Sequence, residues 1–157
     1  MRNPESHLRM DDLPAVESVH LVKSLDLNHH GTLYAGRMAE WVVEVGFLTT
    51  RAALRCSPDH LVCLRIHELD FRHRVEKGAS LRLRGEVVHV GRTSITVHVE
   101  AFPFQPDGSE EATTDALLTY VHIVEGEARP HGLKVEPPES PRLRRWWEAA
   151  LEARGQR

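Results

Sequence analysis

Cysteine, lysine and aromatic residues are scarce in this chain of 157 residues, and each scarcity excludes something. The two cysteines, Cys56 and Cys63, stand seven apart, which fits no zinc or dithiol redox spacing, so two buried free thiols are expected. Lysine contributes 3 of the 20 basic residues, and the formal net charge of −3 gives no basis for nucleic acid or an anionic membrane as main partner. No window approaches the ~20 apolar residues of a membrane span. The opening MRNPESHLRMDDLP has no apolar run, so no signal peptide is read there and a cytoplasmic location is expected.

Hydrophobic residues make up 41% and charged residues 27% of the chain, ordinary values for one globular domain. The polar stretch ending at Pro14 predicts a loose N-terminal segment over residues 1–15. A single domain is expected over 16–157. Val16 to Leu25 reads as a strand, with Val19 and Leu21 pointing one way. From Arg37 to Leu54 apolar residues cover most of a helical wheel, while Arg37, Glu40, Glu44 and Arg51 form a narrow polar stripe. Such a helix needs enclosure. Period-two patterns at Val62–Ile66, Leu81–Val90 and Ile95–Ala101, with a further apolar run at Leu117–Val124, predict strands to supply it. Gly78, Gly91-Arg92 and Pro106-Asp107-Gly108 mark the turns between them. The class is therefore α+β, an antiparallel sheet wrapped around one long central helix. Leu143 to Leu151 reads as a short C-terminal amphipathic helix whose Trp146-Trp147 pair packs it onto the body.

The densest motif is Asn28-His29-His30-Gly31-Thr32-Leu33-Tyr34-Ala35-Gly36, a polar turn running into the long helix. Backbone N–H groups at a helix start have no intrahelical acceptor, and with the helix dipole they favour developing negative charge. With Glu40-Trp41, Gly91-Arg92-Thr93-Ser94 and the Leu69-Asp70-Phe71 to Gly78 stretch, this N-x-x-G-x-x-Y-x-G pattern resembles the hot-dog-fold acyl-CoA thioesterases of the acyl-CoA hydrolase type. The resemblance covers roughly residues 16–154. It implies a homodimer or dimer-based higher oligomer whose joined sheets place the site between subunits. It further implies a thioester carbonyl held by amides around Ala35 and Gly36, with Asn28 orienting water or substrate. Arg92, Thr93 and Ser94 would meet the nucleotide end of coenzyme A. No cofactor is implied beyond the coenzyme A of the substrate.

The family's acid, seven residues after the second glycine, falls on Val43 here, and valine cannot accept a proton. Glu44 lies about 100° around the helix from that position and Glu40 about 60°. Glu44 is the chosen general base, with Glu40 and Asp26 as alternatives. His30 is a weaker candidate for facing substrate. His29 and His30 are adjacent in one turn and do not readily face one ion, so no metal site is expected. His67 and His73 read as surface histidines. The expected function is hydrolysis of an acyl-CoA thioester to free acid and coenzyme A. Val43 also suits a non-catalytic acyl-CoA-binding protein, and a hydratase-type lyase is a more distant alternative.

Overall fold

The computed structural model describes residues 8–155. Its main elements are β1 (Val16–Leu21), α1 (Ala35–Leu54), β2 (Leu61–Phe71), β3 (Ser80–Val90), β4 (Ser94–Pro103), β5 (Thr114–Val124), the short β6 (Glu127–Ala128) and α2 (Pro141–Gly155). The sheet runs β1-β3-β4-β5-β2 with every pair antiparallel, and β6 extends one end of β5. This is the α+β hot-dog arrangement the sequence predicts, a curled antiparallel sheet on one long helix.

Alternation sorts the strands into two faces. Leu81, Leu83, Val87, Ile95, Val97, Val99, Ala101, Ala116, Leu118 and Tyr120 form the inner face and meet Met38, Val42 and Val45 of α1. Thr49 and Thr50 tolerate the helix interior because their hydroxyls donate back to Val45 O and Gly46 O at 2.7 and 2.9 Å. Gly46 marks a close approach of helix and sheet. A Cβ there would stand 2.5 Å from Tyr120 Oη and 2.9 Å from its Cε2. The buried Tyr120 phenol uses that space to donate to Val43 O at 2.5 Å.

The outer face is covered in part by α2. Leu143, Trp146, Ala149 and Ala150 pack on Val88 and Leu117, and the Trp146 ring stacks 3.6 Å from His98 at 20°. Three sequence expectations are corrected. Within the supposed loose segment, Met10–Asp12 form a 3-10 turn with Met10 buried, because Asp11 accepts the Glu139 and Ser140 amides at 2.8 and 3.1 Å; residues 1–7 lie outside the described residues. The two free thiols are half-buried, not buried. His67 is no surface residue: it is half-buried, and its Nε2 lies 2.7 Å from Thr119 Oγ1 in a chain that continues to Thr96.

Candidate functional site

Residues 28–36 form a turn closed mainly by its own polar groups. Asn28 N donates to Thr32 O at 2.8 Å, and Gly31 takes a φ of +79°, a left-handed conformation that glycine adopts without strain. The Asn28 side chain completes the closure. Its Oδ1 accepts the His30 and Thr32 amides at 2.9 and 3.2 Å, and its Nδ2 donates to Thr32 Oγ1 at 3.1 Å. A primary amide carries two N–H donors, so one remains beyond this turn.

Tyr34 N is held by Asp26 O at 2.8 Å, and Tyr34 O receives the Arg37 and Met38 amides. Tyr34 is the N-cap of α1 but supplies no side-chain cap. Among the described residues, the Ala35 and Gly36 amides find no acceptor. These are the donors the sequence places at the carbonyl site, and the exposed Tyr34 ring lies over Gly36.

Two depressions open on either side of this helix start. Asn28, Thr32, Ala35 and Met38 line a cleft of about 250 Å³ with Phe71, Arg72, His73, Arg74, Val75 and Thr114. Gly36, Ala39, Glu40, Val43, Glu44 and Phe47 line a wide groove of about 560 Å³, whose other wall is Cys63 and Tyr120. Within one chain, therefore, Gly36 and Glu44 share a groove and Asn28 does not join them. The apolar flank of α1 at Ala39, Val43 and Phe47 stays partly open where the sequence predicts full enclosure.

The candidate acids separate by their partners. Asp26 is only 7% exposed, caps the Lys23 amide at 2.9 Å and pairs with Arg37 Nε at 3.2 Å. Glu40 pairs with Arg37 Nη1 at 2.9 Å. Arg37 thus engages both alternatives, while Glu44 is exposed and has no ion pair among the described residues. Burial raises the Cys63 thiol and the Tyr120 phenol above their usual ranges, leaving both neutral on the groove wall.

The Arg92-Thr93-Ser94 segment is remote from the helix start. Ser94 pairs with Val121 and Ala101 with Thr114, so seven residues of β4, about 23 Å, separate the two ends. Ser94 is corrected as a coenzyme-contacting residue: it is 6% exposed, at the start of β4 beneath Gly91, and its carbonyl accepts the Gly91 amide. Thr93 is half-buried with its carbonyl taken by the His122 amide, which leaves Arg92 as the exposed member. The exposed His29 and His30 rings lie 3.9 Å apart, on the solvent side of the turn. Sequence reasoning missed Tyr120, Cys63 and the Phe71–Val75 wall. Tyr120 carried a signal, as the one aromatic residue within the apolar run 117–124. The wall residues carried none.

Known proteins share this fold. Residues 30–108, half of the chain, match the profile of the thioesterase superfamily. None of the curated proteins compared matches the chain. A hexameric acyl-CoA thioesterase solved without ligand superposes with a TM-score of 0.79 at 29% identity, covering 90% of this chain and 88% of that one. The acyl-CoA hydrolase from Staphylococcus aureus, solved with butyryl coenzyme A and coenzyme A, gives 0.82 at 18% identity over 94% and 88%. That from Bacillus cereus gives 0.81 at 22% over 91% and 85%. With the profile matching half of the chain and the fold superposing on such enzymes, the chain belongs to the hot-dog-fold thioesterase superfamily.

Proposed function

We propose that this protein hydrolyses an acyl-CoA thioester to a free acid and coenzyme A. One observation carries the reading: the Gly36 amide, which has no acceptor among the described residues, opens on an apolar groove that also holds Glu44, a carboxylate without an ion pair among those residues. The Gly36 amide receives the thioester oxygen as it becomes an oxyanion, with the α1 dipole adding to that stabilisation. Glu44 takes a proton from water as its oxygen bonds the carbonyl carbon. The tetrahedral intermediate then collapses, the C–S bond breaks, and the proton passes to the leaving sulfur. The spare Asn28 N–H orients water or the carbonyl, and Arg92 meets a coenzyme A phosphate.

Because Asn28 and Glu44 lie in different depressions of one chain, the reading places them together across a pair of subunits. The exposed edge strand β2 supports that pairing, since Val62, Leu64 and Ile66 leave 46%, 66% and 42% of their surface open. An unpaired edge of this length with apolar side chains invites a second copy.

Val43 favours a second reading, in which the groove binds acyl-CoA without turnover. Free-thiol detection against short, medium, long and aromatic acyl-CoAs separates the two. Thiol release from at least one class is expected. Saturable acyl-CoA binding with no release from any class would leave only the second reading.

A further inference from the structure

On the outer face of the sheet, away from α1, three strands place unlike side chains in one row. Val19 of β1 pairs with Arg82 of β3, and Arg82 pairs with Phe102 of β4. The segment from Phe104 to Glu110 borders this row and forms with it a half-open cavity of about 470 Å³. That volume falls within the roughly 300–1,000 Å³ of small-molecule sites. Its walls divide by chemistry. Val19, Phe102 and Phe104 are apolar, and Val19 and Phe104 leave 68% and 76% of their surface exposed. Arg82, Ser80, Ser109 and Glu110 are polar and stand around the same space.

Arg82 shares the cavity with Glu110, and Arg84 follows it along β3 on the same face, opposite Glu17 and Glu100. The Arg82 and Arg84 guanidinium carbons lie 5.7 and 5.3 Å from the Phe102 ring centroid. Arg82 pairs with Glu110, whereas Arg84 has no ion pair among the described residues. The Arg82 Nε is buried without a hydrogen-bond partner, although a guanidinium offers five donors in a fork suited to a carboxylate. Glu110 therefore holds this Arg as an internal carboxylate, delivered by a self-braced turn. In that turn, the Ser109 amide and hydroxyl donate to Asp107 Oδ1 at 2.9 and 2.7 Å, and the Gly108 amide donates to Gln105 O at 2.9 Å.

We propose that this cavity is a second ligand site, for an amphiphilic monocarboxylate whose carboxylate takes the place of Glu110 on Arg82. Its hydrocarbon lies along Val19, Phe102 and Phe104. The ligand class is that of the acid freed in the proposed reaction, and in that respect the assignment rests on that reading. Binding is measured without turnover, so failed thioester hydrolysis and failed acid binding are separate results.

The test titrates the whole protein with 11-(dansylamino)undecanoic acid and follows dansyl emission. Saturable, blue-shifted emission is expected, displaced by octanoate but not by octanol. Arg82→Gln should weaken binding about tenfold, the size of one lost charge-assisted pair at a half-exposed site. Glu110→Gln, a change on an exposed loop, should tighten binding because the competing carboxylate is gone. Displacement by octanol as well as by octanoate would overturn the assignment. So would a Glu110→Gln affinity no tighter than that of the unaltered protein.

Discussion

Replacing Gly46 by alanine sets two opposed effects against each other. Glycine inside an α-helix is about 1 kcal/mol less favourable than alanine, so propensity alone predicts stabilisation. The added Cβ, however, would meet Tyr120 Oη at 2.5 Å and Cε2 at 2.9 Å. That ring is 1% exposed, is fixed by its bond to Val43 O, and lies edge-on to Phe47 with centroids 6.4 Å apart. It has nowhere to swing, and overpacking of this kind costs about 1–3 kcal/mol. The net expectation is a loss of about 1 kcal/mol. At 157 residues this lowers Tm by about 2–4 °C. Tyr120→Phe alone should also cost about 1 kcal/mol, the usual net value of one hydrogen bond. In the double variant the nearest clashing atom is absent, so the combined loss should be less than the sum by about 0.5 kcal/mol or more. Differential scanning calorimetry at fixed protein concentration measures all four proteins, since oligomerisation shifts Tm. A Gly46→Ala protein more stable than the original, with additive behaviour in the double variant, would refute the close approach of helix and ring.

Two further expectations concern assembly and pH. Leu64→Glu changes a side chain that is 66% exposed in one chain, so it should leave the protomer's fold intact while dissociating the proposed assembly, seen by sedimentation velocity. Burial and the surrounding Arg142, Arg145, Arg84 and Arg72 lower the His98 pKa to about 3. The unfolded chain then binds the proton near pH 6.5 and the native state does not, so stability falls as pH drops below 6.5, by about 2 kcal/mol at pH 5 from this residue. Burial lowers His89 to about 4, adding to the same trend, whereas it raises Glu100 and Asp115, which bind protons more readily in the native state and oppose it at lower pH. His98→Phe keeps a ring on Trp146 and should flatten the denaturation midpoint between pH 6.5 and 5; an unchanged slope would show that His98 is already charged.

Most of the fold was legible because its signals are local. Alternation along 81–90 and 95–101 marks strands with unlike faces, and the apolar wheel of 37–54 needs a sheet around it. The turn and the helix start were equally legible, since Asn28, Gly31 and Gly36 are turn and close-approach residues at fixed spacing. What escaped depends on partners distant in sequence. Arg37 engages both Asp26 and Glu40, which separates Glu44 from its rivals, and no spacing rule reports such an ion pair. Ser94 reads as a residue that meets coenzyme A but lies 6% exposed beneath Gly91. Met10 lies in a polar stretch and is buried because Asp11 is tied to the start of α2, 128 residues away.

The measurement that bears most directly on the proposed chemistry is steady-state thiol release by Glu44→Gln beside Glu40→Gln, on whichever acyl-CoA the original protein cleaves fastest. Loss of a general base lowers kcat by about 10²–10⁴-fold. The expected result is a kcat drop in that range for Glu44→Gln with KM little changed, and near-normal turnover for Glu40→Gln, whose carboxylate is engaged by Arg37. Normal turnover by Glu44→Gln would contradict the account and remove Glu44 from the reaction.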